Sequence, residues 1–413
     1  MNHDKVRACA KLEKQMFADP NVVHVGIGVQ YRGGAKTGKE VLVVGVIAKS
    51  DGFARIIAPR EVDGFETDVQ EFGELEAQGD FPHIDELAGR LNVSKTARVR
   101  PIPGGFSIGH PKITAGTLGA WLRRGGEVVA LTNNHVGANS NDAELGDPVW
   151  QPGPFDGVGV GDEALELAAF ATIHFGDEPP LNPPDPPDPP DEKKKGVARL
   201  AWKAWLWPAN ALSKLTGCSN RATVVNIRKL REDWSAADRG VPLARWMRKL
   251  GNGGLELLES SRIRAALVPA TRNIVQPWPN LVDAAVCRVA PGQIPADIVP
   301  DPPFIDEVGE LEGIRDGTIG DFVEKTGRTT GHTLGTIESI GSARVSYGEK
   351  GLAFYSDQLV IRGSSGDFSA GGDSGSAIVD EDGFLIGLLF AGGGGVTIAN
   401  RISNVVAIMG VTV

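Results

Sequence analysis

The sequence predicts a mainly β protein that carries a small N-terminal α+β domain and a helical insertion. Its 413 residues include 54 glycines and few aromatic residues, a composition typical of turn-rich β proteins. After Arg98, short apolar segments such as residues 128–132 alternate with glycine-containing turns, which indicates the strands of a barrel or sandwich. A proline-rich run at 179–190 interrupts this pattern, and strands are predicted again from Asn280 onward. A chain of this length also exceeds what one hydrophobic core usually holds, so several domains are expected.

Residues 1–95 are predicted to form the α+β domain. Apolar side chains recur at helical spacing between residues 6 and 17, which predicts a short helix. The alternation over 22–29 and the apolar run over 41–47, joined by a glycine-containing loop, predict a pair of strands. This part of the sequence has no cluster of histidine, cysteine or carboxylate side chains, so no chemistry is assigned to it.

Residues 96–178 are predicted to form a first β-barrel that carries His135. This histidine follows the apolar strand that ends at Thr132, where a rigid scaffold can present a side chain to a cleft. Three other histidines compete for the role of a catalytic base, but none follows an apolar strand and a threonine in the same way. They are His110, His174 and His332.

Residues 179–270 are predicted to form a proline-rich linker followed by a basic, tryptophan-rich helical insertion. The linker should be an extended polyproline spacer. Between residues 191 and 264 the chain has 16 Lys and Arg against 7 Asp and Glu, and five of its eight tryptophans lie there. The segment is interpreted as a solvated helical subdomain with its own core, as a docking surface for a partner protein or substrate, or as a contact for anionic membrane or nucleic acid.

Residues 271–413 are predicted to hold the strand of Asp283 and a second β-barrel that carries Ser374. Glycines flank this serine, so the backbone can turn sharply and bring its N–H groups close to a bound oxygen. Such a serine is useful as a nucleophile only with a base and with donors for an oxyanion, and His135 is the candidate base. Asp283 is the candidate carboxylate that orients it, with Asp162 as the alternative.

Several of these segments resemble the motifs of trypsin-like serine peptidases. The quoted matches are Thr132-Asn133-Asn134-His135-Val136, Val282-Asp283-Ala284-Ala285, Gly327-Arg328-Thr329-Thr330-Gly331 and Gly372-Asp373-Ser374-Gly375. Together with the N-terminal Gly-Ile-Gly and the segments Ile-Ala-Pro-Arg-Glu-Val-Asp-Gly and Leu-Leu-Phe-Ala-Gly, they resemble a bacterial subgroup that is similar to the plant narrow-leaf proteins. The resemblance covers about 20–175 and 278–413 and leaves the insertion without a counterpart.

The resemblance implies a chymotrypsin-like double β-barrel and a serine endopeptidase that acts through an acyl-enzyme. It assigns the catalytic roles to His135, Asp283 and Ser374, and the oxyanion hole to the backbone N–H groups of Gly372 and Ser374. The base of the primary pocket is expected near Phe368 and Ser369, and its wall near Phe390, Ala391 and Gly392. No acidic residue is expected at the pocket base unless Asp367 takes that place, which favours a small or apolar side chain before the cut bond.

The resemblance also implies a role for Asp373, which in activated trypsins pairs with a freshly cut N-terminus. Because Met1 here precedes a whole extra domain, we expect that no cut is required and that other bonds hold Asp373. The alternative to an enzyme is a peptidase-like scaffold that binds protein partners without cutting them.

Composition limits the remaining function classes. The net charge of −10 makes general nucleic-acid binding unlikely, and protein or peptide substrates are expected instead. The three cysteines are widely spaced and show no metal-ligand pattern, so neither a disulfide framework nor a metal or other cofactor is predicted. No apolar run approaches the roughly 20 residues of a membrane span, and no secretory signal is recognised, so a cytoplasmic location is expected.

Overall fold

The computed structural model describes residues 3–49, 58–77, 95–157, 163–176 and 274–413. They belong mainly to one compact unit made of Met1–Pro183 and Gln276–Val413. Of the second unit, Pro184–Val275, the structure describes only a two-residue strand at Ile274–Val275. The predicted linker and basic insertion, and the alternative carboxylate Asp162, lie outside the described residues.

The described part of the chain is mainly β. Its helices are α1 (His3–Met16), α2 (Asn134–Gly137), α3 (Pro295–Ile298) and α4 (Ile402–Met409), with a 3-10 turn at Gly348–Lys350. The strands up to residue 77 are β1 (Val22–Arg32), β2 (Ala35–Val46), β3 (Glu61–Val62), β4 (Phe65–Glu71) and β5 (Glu76–Ala77). The next strands are β6 (Ser107–Ile108), β7 (Gly116–Thr117), β8 (Ala120–Arg124), β9 (Glu127–Thr132), β10 (Pro148–Trp150), β11 (Glu163–Thr172), β12 (Ile274–Val275) and β13 (Ala285–Val289). The last are β14 (Gly313–Ile314), β15 (Phe322–Gly327), β16 (Gly331–Ser346), β17 (Leu352–Gly363), β18 (Ala377–Asp380), β19 (Phe384–Gly393) and β20 (Val396–Arg401).

The first barrel is a closed ring of antiparallel strands. One sheet has the order β10-β11-β13-β9-β8, and β6 pairs with β7, which leads directly into β8. Backbone hydrogen bonds in both directions between Gly109 and Trp150 join the end of β6 to β10 and close the ring. The apolar alternation of these strands fills the barrel with buried side chains. They include Ile108, Leu118, Ala130, Val149, Leu165, Leu167, Phe170 and Cys287.

The second barrel is a closed ring of six antiparallel strands. Its order is β15-β18-β19-β20-β17-β16, and a further pairing of β15 with β16 closes it. Strand β19 is apolar along almost its whole length, and eight of its ten residues are buried, from Leu385 to Gly392 without a break. The mainly β, chymotrypsin-like double-barrel fold predicted from the sequence is therefore confirmed.

The two barrels do not follow one another simply along the chain. Strand β13, which comes just after Asp283, pairs with β9 and β11 and thus lies in the middle of the first barrel's sheet. The sequence predicts the strand of Asp283 and the second barrel together within residues 271–413, and that domain boundary stays a prediction. The buried apolar residues of β13 pack against the strand that leads to His135, so the base and its candidate carboxylate are carried by neighbouring strands.

The N-terminal α+β segment extends the sheet of the second barrel. Strand β1 pairs with β16 through Ile27 and Ile340, while β2 pairs with β1 and, in parallel, with β4. Helix α1 packs the apolar face predicted from its spacing, which includes Ala8, Leu12 and Met16, against these strands. Beyond β4 the chain reaches β5, which pairs with β19 of the second barrel. The domain boundary at residue 95 stays a prediction.

Candidate active site

The imidazole of His135 and the carboxylate of Asp283 are hydrogen-bonded inside the protein. His135 lies on the short helix α2, which begins two residues after β9, and Asp283 lies two residues before the neighbouring strand β13. Nδ1 of His135 is 2.6 Å from Oδ2 of Asp283. The other oxygen, Oδ1, accepts hydrogen bonds from the backbone N–H of Asn134 at 2.7 Å and of His135 at 3.3 Å. The first N–H groups of a helix have no intrahelical acceptor, so the carboxylate satisfies them while it orients the ring.

A buried tyrosine completes the surroundings of the Asp283 carboxylate. The hydroxyl of Tyr347 donates to Oδ2 of Asp283 at 2.7 Å, and it lies 2.6 Å from the hydroxyl of Tyr355. Burial, and then the nearby negative charge of Asp283, raise the pKa of Tyr347 well above its ordinary value. Tyr347 therefore remains a donor throughout the physiological pH range, which compensates the cost of burying the carboxylate.

Two asparagines fix the backbone of Asp283. The side-chain amide of Asn133 donates to the Asp283 carbonyl at 2.7 Å. Asn400, on β20 of the second barrel, donates to the same carbonyl at 3.1 Å and accepts from the Asp283 N–H at 3.0 Å. Because one asparagine comes from each barrel, the carboxylate is held at the junction of the two.

Ser374 lies on a tight turn that the second barrel presents to the first. Gly372 and Gly375 have φ angles of +94° and +96°, a backbone conformation that glycine adopts without steric cost. A Cβ atom on Gly375 would also lie 2.2 Å from the carbonyl oxygen of Thr117. The backbone carbonyl of Ser374 accepts from the Thr117 N–H at 2.8 Å, so the turn is fastened to the first barrel.

The histidine helix and the serine turn both lie beside Gly116. A Cβ atom on Gly116 would lie 2.4 Å from a methyl group of Val136, the residue next to His135, and 3.0 Å from the carbonyl oxygen of Ser374. The fold therefore brings the segments of the histidine and the serine, which are far apart in sequence, next to the same glycine.

The hydrogen bond between the base and the serine is not made in this structure. Ser374 is fully buried, and its hydroxyl donates to the carbonyl oxygen of Phe390 at 3.1 Å. Nε2 of His135 is buried and has no hydrogen-bond partner among the described residues. A rotation of the serine side chain would be needed to join them, and such bonds are often absent before a substrate binds.

The backbone N–H groups of Gly372 and Ser374 have no acceptor within the part of the chain that the structure describes. The side chain of Asp373, which lies between them, is held by a dense set of donors. Oδ1 accepts from the N–H groups of Thr329 and Thr330, at 2.8 and 3.1 Å. Oδ2 accepts from the Thr330 hydroxyl at 2.6 Å and lies 3.4 Å from the ammonium of Lys325. The partners expected for Asp373, other than a chain terminus, are thus present.

The comparisons with known proteins find similar solved structures. No known protein family matches the sequence, and no curated protein matches it. A solved glutamic acid-specific serine protease has a TM-score of 0.35 at 14% identity, covering 76% of this chain and 100% of that one. Thermobifida fusca Protease A has a TM-score of 0.36 at 14% identity, covering 75% and 97%. Nocardiopsis protease has a TM-score of 0.34 at 14% identity, covering 75% and 97%.

The fold is chymotrypsin-like. Two closed antiparallel barrels establish it, one carrying His135 and the other Ser374. The narrower resemblance to the plant narrow-leaf proteins stays a prediction.

The side chains of the residues predicted to form the primary pocket make different contacts. The ring of Phe368 is buried in the core of the second barrel, and its place at the base of the primary pocket stays a prediction. The Ser369 hydroxyl is 2.6 Å from that of Thr397. The ring of Phe390 packs on Tyr355 with centroids 4.7 Å apart, which leaves the Phe390 carbonyl as its contact with Ser374.

The two other residues predicted to form the pocket wall lie against the N-terminal segment of the chain. Ala391 pairs with Ala77, and Gly392 pairs with Glu76. These pairings use the edge of β19 beside the serine, and no local pattern in the sequence predicts them.

The rival histidines are engaged elsewhere. His110 lies 3.3 Å from the carboxylate of Asp147, and burial lowers its pKa. His174 is 2.8 Å from the backbone carbonyl of Gln276, and His332 is 2.6 Å from Glu324. None of the three contacts Ser374 in the described structure.

The structure also bears on metal binding, on membrane-spanning helices and on the state of the cysteines. Among the described residues, no cluster of three or more histidine, cysteine or carboxylate side chains could hold a metal ion. None of the helices described is long and apolar enough to cross a membrane. Cys9 and Cys287 are buried free thiols, and the third cysteine, Cys218, lies outside the described residues.

Sequence reasoning missed three residues that support the site. Tyr347 and Asn400 lie far from Asp283 in sequence, and no motif marks them. Lys325 stood two residues before the Gly-Arg-Thr-Thr-Gly segment that carries part of the resemblance, but nothing signalled its burial.

Proposed function

We propose that the protein is a serine endopeptidase whose catalytic groups are Ser374, His135 and Asp283. The observation that carries the proposal is the 2.6 Å hydrogen bond between the imidazole and the carboxylate, together with the contact of both Val136 and Ser374 with the space beside Gly116. A nucleophile, a base and the group that orients the base are then neighbours, which is the requirement for acyl transfer by a serine.

Each group has one role in the proposed reaction. After rotating toward the imidazole, the Ser374 hydroxyl attacks the carbonyl carbon of a peptide bond while Nε2 of His135 takes its proton. The imidazolium then protonates the leaving amine, and a water molecule, activated in the same way, hydrolyses the acyl-enzyme. Asp283 stabilises the imidazolium and is itself held by the Tyr347 hydroxyl.

The oxyanion of the tetrahedral intermediate would be bound by the N–H groups of Gly372 and Ser374. The two groups have no acceptor among the described residues, and Asp373 between them is fixed by Thr329, Thr330 and Lys325. Donors that are held in place before the reaction stabilise developing charge without reorganisation. The substrate class proposed is protein or peptide, with a small or apolar side chain before the cut bond and no cofactor.

A second candidate is a peptidase-like scaffold that binds proteins or peptides without cutting them. It is favoured by the complete burial of Ser374 and by its hydrogen bond to Phe390 in place of His135. The other groups favour the enzyme, because the hydrogen-bonded carboxylate and imidazole, and the two N–H groups without an acceptor among the described residues, would have no role in simple binding.

A fluorophosphonate probe tests the proposal because it reacts only with an activated serine. We expect labelling of the wild type, loss of labelling in Ser374→Ala, and unchanged labelling in Ser364→Ala, a matched control at an exposed serine. Labelling that persists in Ser374→Ala would remove this serine as the nucleophile. A peptide-library cleavage profile then defines the residue before the cut bond.

A further inference from the structure

The edge of β19 beside the candidate nucleophile is occupied by the chain itself. The Ser374 hydroxyl donates to the carbonyl of Phe390, and the next two residues of β19 pair antiparallel with β5. Ala391 lies opposite Ala77, and Gly392 lies opposite Glu76. On its other edge the same stretch of β19 pairs with β20, so β5 takes the position that would otherwise be open.

The contact is close along its whole length. A Cβ atom on Gly393 would lie 1.8 Å from the carbonyl oxygen of Glu74, and one on Gly394 would lie 2.2 Å from that of Phe72. The N–H of Ser346, on β16, donates to the Leu75 carbonyl at 2.8 Å. Residues 72–77, which we name the blocking segment, therefore lie between β16 and β19.

Buried apolar side chains anchor the blocking segment. Phe72 and Leu75 are each 1% exposed and pack in a core cluster that also contains Phe390, Ala391 and Tyr355. The ring of Phe72 stacks on His24 of β1 with centroids 5.3 Å apart. Because β1 belongs to the sheet of the second barrel, the N-terminal α+β segment holds the blocking segment in place.

This edge is where an extended peptide would add as a further strand. Strand addition gives a bound peptide its main-chain hydrogen bonds, and the carbonyl to be attacked must lie at the nucleophile. A peptide that paired with Ala391 and Gly392 of β19 would lie adjacent to Ser374. The blocking segment already pairs with these two residues. A substrate and the blocking segment would compete for the same backbone groups.

We propose that residues 72–77 hold the protein in a self-inhibited state by filling the strand-addition edge of β19. The inference rests on the proposed peptidase function and adds its regulation. In this state the serine is fully buried, His135 is 4% exposed, and the bond between them is not made. Withdrawal of the blocking segment opens the edge to a peptide and gives access to Ser374.

Two variants on opposite sides of the contact test the proposal with a fluorophosphonate probe. Gly393→Ala places a methyl group against the Glu74 carbonyl, and Leu75→Ala weakens the anchor without changing β19. Each should be labelled at least about tenfold faster than the wild type, because the accessible fraction of molecules rises. Leu334→Ala, at an exposed leucine outside the contact, is the control and should be labelled at the wild-type rate.

An engineered disulfide, which can be formed and reduced in the same protein, keeps the test independent of folding defects. Ala77 and Ala391 lie directly opposite each other in antiparallel strands, at a separation suited to a disulfide. In Ala77→Cys/Ala391→Cys the oxidised form should be labelled at least about tenfold more slowly than the reduced form of the same protein. The described native cysteines are buried, which keeps them from competing for the bond.

The outcomes separate the inhibition from the proposed function. Equal labelling of the oxidised and reduced forms, with Ser374 labelled in both, would overturn the inhibition and leave the enzyme intact. Hydrogen exchange on Gly393→Ala shows whether residues 391–393 have become exposed. If they are exposed and no form of the protein is labelled, both proposals are overturned.

Discussion

The ammonium nitrogen of Lys325 lies 3.4 Å from Oδ2 of Asp373, and both side chains are completely buried. Lys325 also donates to the carbonyl of Gly331 at 2.9 Å and to the hydroxyl of Thr330. Burial lowers the pKa of Lys325, while the charge of Asp373 opposes that change. An internal lysine thus supplies a cation that balances the carboxylate beside the serine.

Replacing Lys325 by methionine should destabilise the fold and slow any hydrolysis. The change leaves a buried carboxylate without its cation, which typically costs about 3–5 kcal/mol in the free energy of unfolding. Urea denaturation measures the cost. Lys350→Met, which removes a pair with Asp142 at the surface, is the control and should cost less than about 1 kcal/mol. Equal losses in the two variants would contradict a special role for the buried pair.

Replacing Tyr347 by phenylalanine should reduce kcat/KM about tenfold and change its pH dependence. The hydroxyl donates to Asp283, and loss of a hydrogen bond to a charged group corresponds to about 1.5–3 kcal/mol. A carboxylate freed from this donor favours the imidazolium more strongly, so the acidic limb of the pH–rate profile should move to higher pH. Tyr31→Phe, which loses a bond to Glu338 away from the site, should leave the profile unchanged. An unchanged limb in Tyr347→Phe would make the tyrosine merely structural.

Replacing Gly116 by alanine should lower kcat far more than it changes KM. The added methyl group would meet Val136 at 2.4 Å and push the histidine and serine turns apart. A misplacement of about 1 Å can cost roughly a hundredfold in rate. Gly176→Ala introduces a methyl group with only ordinary contact to Trp278 and serves as the control. Wild-type kcat in Gly116→Ala would show that the closeness of the two turns does not matter.

The candidate residues of the site were easier to identify from the sequence than the residues that surround them. His135, Asp283 and Ser374 lie in short motifs that can be recognised locally. The partners Tyr347, Asn400 and Lys325 act through long-range contacts, for which a single sequence has no local signal.

The same holds for the fold: local sequence patterns predict single strands, but they do not predict which strands pair. Alternation predicted that residues 22–29 form a strand, but it could not show that this strand joins β16 of the second barrel. Strand β5 is two residues long and has no periodic pattern, so its pairing with β19 could be found only in the structure.

Acid should weaken the fold through His24. Burial lowers the pKa of His24 from 6.5 to about 3, so between these values the unfolded chain binds a proton that the folded protein does not. The contribution of His24 to the free energy of unfolding therefore falls as the pH drops from about 6.5 toward 3, by about 1.4 kcal/mol per pH unit. Glu13 acts in the opposite direction, because burial raises its pKa to about 7 and stability then falls as the pH rises from 4.5 to 7.

The variant His24→Gln isolates this effect. It retains a donor for the hydroxyl of Ser339, which lies 2.8 Å from Nε2 of His24, but it has no titrating group. The difference in unfolding free energy between wild type and variant cancels the contribution of Glu13, and it should change with pH in the window from 6.5 to 3. A difference that stays constant across this window would mean that His24 is not neutral in the folded protein.

The position of β13 in the first barrel has a consequence during synthesis on the ribosome. The strand is inserted between β9 and β11, yet it is translated after both of them and after the whole segment from residue 177 to 273. A nascent chain that has not yet emerged beyond Val289 lacks the central strand of its first barrel, and before residue 283 it also lacks the carboxylate that orients His135. The candidate site can therefore be assembled only late in translation, after residues 72–77 have already left the exit tunnel.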